Sequence, residues 1–488
     1  MSTIATEADL GDAAPPALDA QRELRALLAL QRAAFARGAP DYDRRMQALA
    51  TLRDAVREHQ DALVDAVSED FGGRAAEETL LLELFPLLDE IGNARRKLRR
   101  WMRPRAVRPA WFLLPGRARV QYQPLGVVGV IGAWNYQLLL SLSPIVGALA
   151  AGNHVMVKPS EITPRTAALI ADILAERFPR EYVAGVTGDA DVAAAFSALP
   201  FDHLIFTGST RVGKLVMRAA SENLTPVTLE LGGKSPVIVH RDAPLARAAE
   251  RIMTGKLYNA GQTCVAPDYA LVPRDRVAEF VDEVQRASAA LYPRLVDTRD
   301  YTRIVTHRHW ERLQALAHDA RARGARVEVV NPAGERFPPE AKVFPPTVVV
   351  GATDEMAVMQ EEIFGPILPV VPYDALDDAI AYVNARPRPL ALYYFDVDRR
   401  RIDDVLARTT SGGAAVNDVL LQLAQDNLPF GGVGPSGMGH YHGFDGFQTF
   451  SKKKGVFLQS RLAAGGMFRP PYGPRTRALI QRLLRITG

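Results

Sequence analysis

His203-Leu-Ile-Phe206-Thr-Gly208-Ser209-Thr-Arg-Val-Gly213-Lys214-Leu215 runs from a short apolar segment through a glycine-bounded turn into a helix-forming one. Strand, tight loop and helix in that order make a nucleotide-binding α/β unit. Small residues at Gly208, Ser209 and Gly213 let backbone N–H groups and the positive end of the helix approach a phosphate. A triphosphate loop would need a Ser or Thr hydroxyl for magnesium where Leu215 stands. A dinucleotide pyrophosphate needs no metal, so the loop suits NAD(P) better than ATP, and an ordinary turn is the remaining reading.

Outward from this loop the same alternation continues. Strands are expected at Val127 to Ile131, His154 to Val157, Tyr182 to Val186 and His203 to Phe206. Helices are expected at Leu139 to Ala150, Pro164 to Arg177 and Asp191 to Ala198. Short apolar runs between helices predict a doubly wound parallel sheet with ligands at the strand carboxyl ends. A second α/β unit is expected from about Leu229 to Asn417, with a strand at Pro236 to Val239. Two helices, Gln21 to Arg37 and Asp43 to Val67, open the fold. Alternating segments at Arg117 to Gln123 and Phe447 to Leu458 are expected to pair as an arm between subunits.

Composition narrows the function. The chain has 488 residues, 48% of them hydrophobic, and one cysteine. One thiol excludes an intrachain disulfide, a cysteine-cluster zinc site and an iron–sulfur centre. A net charge of +4 is too small to indicate a nucleic-acid binder. From Lys452 to the end there are nine basic residues and no acidic ones, so the rest of the chain is net acidic. The eight basic residues between Arg95 and Arg108 are expected on a solvated face. The first twenty residues have no signal-peptide pattern and are expected as a disordered tail, which places the protein in the cytoplasm. Leu138 to Ala151 is too short to span a bilayer. Thr476 to Ile486 is amphipathic and basic; packing on the body or a partner subunit is preferred to contact with an anionic membrane.

Four places could carry chemistry. Cys264 sits in Asn259-Ala-Gly-Gln-Thr-Cys264-Val-Ala-Pro267, a turn-rich setting unlike that of an inert buried thiol, although inertness stays open. Glu230, between Leu229 and Leu231 and before two glycines, is a candidate base raised by desolvation, or else a strand-end surface acid. Asn135 in Trp134-Asn135-Tyr136 ends the first strand of the sheet, where an amide donates to an oxyanion or merely turns the chain. The pairs His307/His309 and His440/His442 have strand-like spacing but no metal motif, so surface or structural roles are expected and no metal site.

Taken together, Trp134-Asn135, Lys158-Pro-Ser-Glu161, Gly208-Ser-Thr-x-x-Gly213, Leu229-Glu230-Leu-Gly-Gly, Gly261-Gln-Thr-Cys264, Glu362-Ile-Phe364-Gly-Pro and Leu428-Pro-Phe-Gly-Gly-Val-Gly resemble the NAD(P)-dependent aldehyde dehydrogenases. The likeness runs from about Gln21 to Ser460. The short amino terminus, Ala266-Pro-Asp268 and Gly437-Met-Gly-His-Tyr-His-Gly443 resemble the class 3 branch, and within it the bacterial coniferyl aldehyde dehydrogenases. The resemblance implies an α/β fold with a Rossmann-type cofactor domain (21–108 and 125–228), a catalytic domain (229–442), an oligomerisation arm (109–124 and 443–460) and a basic tail (461–488).

It also implies roles. Cys264 attacks the aldehyde, Asn135 and the Cys264 N–H hold the oxyanion, and Glu230 activates the water that hydrolyses the thioester. Lys158 and Glu161 match the adenosine-ribose site, and Gly208, Ser209, Gly213 and Leu231 the pyrophosphate and nicotinamide approach. Glu362 and Phe364 match the nicotinamide ribose, and Tyr136 the substrate passage. A glutamate at the 2′-hydroxyl favours NAD, with NADP possible. The implied partners are an aromatic or medium-chain aldehyde and a second copy in a homodimer. Two rivals remain: a CoA-acylating relative, which lacks the deacylating glutamate, and a silent NAD-binding relative, against which the intact trio argues. Ala133 and Gln137 depart from the family by replacing two prolines around Asn135.

Overall fold

Residues 18–462 and 468–486 are described by the structure, a computed structural model, and they build three sheets. The smallest joins β1 (Arg105–Val107), β2 (Arg117–Pro124) and β16 (Ser451–Leu458) in the antiparallel order β1-β2-β16. The second is parallel and holds β3 (Val127–Ile131), β4 (His154–Lys158), β5 (Val183–Gly185), β6 (His203–Gly208) and β7 (Val227–Leu231). A short antiparallel edge, β15 (Gly437–Met438), completes it in the order β15-β7-β6-β3-β4-β5. The order reverses between β3 and β6, and a crevice at the carboxyl ends of those strands is where such a sheet takes its ligand. Gly132 to Tyr136 and Gly208-Ser209 lie at those two ends.

The third sheet has β8 (Pro236–Val239), β9 (Tyr269–Pro273), β10 (Arg326–Val329), β11 (Thr347–Val350), β12 (Ile367–Tyr373), β13 (Ala391–Phe395) and β14 (Gly413–Val416). Its order is β10-β11-β12-β9-β8-β13-β14, with only β10 antiparallel. Strands of both parallel sheets are buried on both faces, which is why they read as continuous apolar runs. The helix Gln137–Ala151 is buried along its whole length, as an all-round apolar helix must be. It is a core element, and among the described residues no helix is long and apolar enough to cross a membrane.

Several expectations change. The expected tail over residues 1–20 lies outside the described residues up to 17, and 18–20 already belong to the helix Leu18–Ala36. Asp43 to Val67 is two helices, Tyr42–Glu58 and Gln60–Phe71, broken at His59. Residue 229, the expected start of the second unit, falls inside β7, so Glu230 stands in the cofactor sheet. Residues 447–449 are the end of the helix Gly443–Thr449, and the arm strand starts at Ser451. His307 and His309 lie on the helix His307–Ala322, where residues two apart do not share a face. The basic run ends the helix Phe85–Trp101 and enters β1, with Arg96, Arg99, Arg100, Arg103, Arg105 and Arg108 exposed. The tail forms the helix Pro474–Ile486, none of whose residues is buried.

Candidate active site

Cys264 lies between the helix Leu245–Leu257 and β9, after a turn in which Asn259, Ala260 and Gly261 all have positive φ (52°, 50° and 76°). A non-glycine residue there carries strain of about 1–3 kcal/mol, which persists only where the surroundings over-determine it. They do. Gln262 Nε2 donates to Asn259 O (2.9 Å) and Arg303 O (3.1 Å), while Gln262 Oε1 accepts from Val305 N (3.0 Å). Asn259 N donates to Glu78 Oε2 (3.0 Å), and Asn259 Nδ2 donates to Gln262 O (3.1 Å) and Asn135 O (2.9 Å). Cys264 is partly exposed, the one residue of its turn open to a ligand.

The loop after β3 is laced to this turn. Asn135 is buried and its Nδ2 donates to Gln262 O at 3.2 Å. The Tyr136 hydroxyl and Thr263 Oγ1 are 2.7 Å apart. The Trp134 ring packs edge-on against Phe364 (5.3 Å) and is tilted over His309 (4.9 Å). Asn135 and Tyr136 are therefore held against the turn that carries Cys264.

Glu230 is buried on β7, and neither of its carboxylate oxygens has a hydrogen-bond partner. Burial alone pushes its pKa well above the carboxylate range. The Cys264 thiol is raised too, first by desolvation and then by the Glu230 and Glu362 carboxylates, while N–H groups of Cys264 and Val265 pull the other way. The same burial thus disfavours the charged form of both groups. Tyr441, fully buried with a lone hydroxyl, feels both Glu230 and Cys264.

The residues expected at a cofactor lie at or beside strand ends of the parallel sheet. Lys158 ends β4 and donates from Nζ to Glu161 Oε2 at 2.7 Å. Ser209 caps the helix Thr210–Ser221, its Oγ accepting from Val212 N at 3.3 Å. Gly213 lies under Leu231, whose Cδ2 a Cβ would meet at 2.7 Å. Glu362 accepts from Gly233 N–H, and a Cβ on Gly232 would collide with its carboxylate. Its Oε1 is buried without a partner, and desolvation with Asp268 pushes it up to about 8. Phe364 holds φ 50° beside it. An orphaned acceptor, a capped helix start and glycines that admit a close backbone fit a dinucleotide.

The histidine pairs do not join the site as ligands. His309 is pushed down to about 4 by burial and by Arg312 and Arg308, and its ring bonds Thr306 Oγ1. His442 is buried and stacked on Phe430, whereas His440 is exposed. Sequence reasoning passed over Asn259, Gln262, Arg74, Glu78, Glu83 and the buried Lys256. No motif marks the charged ones. Asn259 and Gln262 stand in the quoted cysteine motif, where their spacing to a strained turn was the available signal.

Residues 5–456 match the model of the Aldehyde dehydrogenase family. The chain is 54% identical over 462 residues to "Probable coniferyl aldehyde dehydrogenase" of Pseudomonas aeruginosa, covering 94% of this chain and 96% of that one. Among solved structures it is similar to the substrate-bound state of AldH of Staphylococcus aureus, with a TM-score of 0.89, 37% identity, and 94% and 99% of the two chains covered. It is also similar to a Mycobacterium tuberculosis aldehyde dehydrogenase complexed with NAD+, with a TM-score of 0.81, 28% identity and 91% of each chain covered. A match over nearly the whole length means that the chain belongs to the aldehyde dehydrogenase family.

Proposed function

We propose that this enzyme oxidises an aromatic aldehyde, such as coniferyl aldehyde, to its carboxylic acid through a thioester on Cys264. It is an oxidoreductase of the aldehyde dehydrogenase family and uses NAD(P)+. The coniferyl aldehyde named for the Pseudomonas aeruginosa relative favours an aromatic substrate over a medium-chain one. Lys158, Glu161, Ser209, Leu231, Glu362 and Phe364 would hold the dinucleotide, which supplies the hydride acceptor when bound. Glu161 favours NAD by repelling a 2′-phosphate.

The observation that carries the reading is Glu230: two unpartnered carboxylate oxygens, desolvated, acting on the one thiol of the chain. In the first half-reaction the Cys264 thiol releases its proton to solvent, the sulfur as thiolate bonds to the carbonyl carbon, and the carbonyl oxygen becomes an oxyanion. Asn135 Nδ2 and the Cys264 N–H are the donors for that oxyanion, worth about 3–4 kcal/mol per donor in comparable sites. Loss of hydride from the same carbon leaves the thioester. In the second half, Glu230 takes a proton from water, the water oxygen bonds to the acyl carbon, and the C–S bond breaks to return the thiolate. A thiol acceptor such as CoA has no use for this base, which argues against the acylating rival.

The test is Glu230→Gln. It should give one burst of NADH per site and then stall, since the thioester forms and is not hydrolysed. The base works only when deprotonated and its pKa is raised, so steady-state turnover of the native protein should climb as pH rises through neutrality into the alkaline range. Undiminished turnover of Glu230→Gln, or formation of acyl-CoA when CoA is added, removes the hydrolytic assignment.

A further inference from the structure

Beneath the two catalytic loops lies a set of buried charges that the reaction does not use directly. Arg74, with no exposed side-chain surface, donates from Nη1 to Glu83 Oε1 at 2.7 Å and to Asn135 O at 3.3 Å. Its Nε stands 3.9 Å from Glu78 Oε2, and its guanidinium lies over the rings of Tyr136 (4.9 Å) and Phe71 (5.4 Å). Each carboxylate then reaches one catalytic loop. Glu83 Oε2 accepts from Leu138 N (2.8 Å) and Leu139 N (3.3 Å) at the start of the helix Gln137–Ala151, where the N-cap Tyr136 offers no side-chain cap. Glu78 Oε2 accepts from Asn259 N (3.0 Å) in the cysteine turn and from Thr302 Oγ1 (2.7 Å). Asn135 O, finally, is shared by Arg74 and Asn259 Nδ2.

We propose that Arg74, through Glu83 and Glu78, is a positioning residue that sets the Asn135 amide relative to Cys264. Three arguments support it. A buried ion triad is a weak source of stability, since apolar residues of the same volume often do as well, but it fixes geometry. Glu83 sits in a π-helical turn, Leu80–Leu84, an irregularity that recurs at functional sites. The loop it steadies, Ala133 to Gln137, contains no proline ring to constrain it, and a hydrogen bond from Gln137 Nε2 to Thr163 O (3.0 Å) together with the Glu83 cap holds the helix start. With two donors on its main-chain carbonyl and its Nδ2 on Gln262 O, Asn135 has few orientations left, and a misplacement of 1 Å at a reacting group lowers rates by about 100-fold.

The inference rests on Asn135 being the oxyanion donor, and the experiment separates the two. Turnover is measured for the full-length wild type, Arg74→Lys, Asn135→Ala and the double variant, with NAD and an aromatic aldehyde. Lysine keeps the buried charge but loses the planar guanidinium whose Nη1 serves Glu83 and Asn135 O while its Nε faces Glu78. Arg74→Lys should lower kcat about 10- to 100-fold with KM for NAD within about twofold. On the Asn135→Ala background the same change should cost less than about twofold, because the donor it places is gone. Equal losses on both backgrounds, or wild-type kcat for Arg74→Lys, overturn the positioning role. Full turnover by Asn135→Ala overturns the donor assignment beneath it. Should Arg74→Lys not fold, Glu83→Gln, which still accepts from Leu138 N, replaces it with the same expectations.

Discussion

In our reading Glu161 is the side chain that chooses between cofactors. Its carboxylate receives Lys158 Nζ at 2.7 Å, and its side chain is 40% exposed, so its charge is present but partly screened. Replacing it by glutamine leaves Lys158 as an unbalanced cation facing the same place. Glu161→Gln should raise the ratio of kcat/KM for NADP to that for NAD by about tenfold, roughly 1.4 kcal/mol. An unchanged ratio would take Glu161 out of the ribose site. At this scale the legible residues were those whose chemistry stands inside their own motif: Cys264 in a turn, Glu230 before two glycines, Asn135 at a strand end. Arg74 and Glu78 were not legible because they act across 61 and 181 positions, on Asn135 and Asn259, and nothing local distinguishes them from surface charges.

Among elements, the parallel strands were legible and the breaks were not. Val127–Ile131 and Pro236–Val239 fall where short apolar runs placed them, because a strand buried on both faces needs apolar side chains throughout. The break at His59 carries neither proline nor glycine; His59 Nδ1 lies 2.9 Å from Ala55 O, and tertiary packing turns the chain there. Residues 447–458 mix helix and strand because Phe447 and Phe450 serve the core while β16 leaves it. The arm bears on assembly. Trp111, Phe112, Leu113 and Leu114 are contiguous and exposed before β2, with Phe457 and Leu458 exposed on β16. Apolar surface of that kind marks a contact between proteins, and a homodimer closed through the arm is our reading. Trp111→Ser with Phe112→Ser removes exposed groups only, so each chain should fold while the dimer dissociates at least about tenfold more readily. Light scattering over a dilution series checks this; an unchanged mass profile would move the interface elsewhere.

For the whole molecule, the candidate site draws on two sheets: Glu230 comes from β7 of one, Cys264 from the turn that feeds the other, and the edge strand β15 returns from residue 437 to pair with Glu230. That closure brings His442 into the core, stacked on Phe430 at 5.1 Å, with Nε2 unpartnered and its pKa pushed down by burial to about 4. The sign of its effect follows from linkage. Unfolded, the imidazole binds a proton below about pH 6.5; folded, it does not until about 4, so between these values the unfolded state holds more protons and stability falls with falling pH. The slope is about 1.4 kcal/mol per pH unit for one such group. Buried carboxylates such as Glu230, whose folded pKa is raised, act in the opposite direction, so the contribution is read as a difference between variants. His442→Phe keeps the ring on Phe430 and removes the titration. Its urea midpoint relative to the native protein should therefore rise steadily from pH 6.5 to pH 4.5, and parallel profiles for the two proteins would show that His442 is hydrated or paired in the folded state.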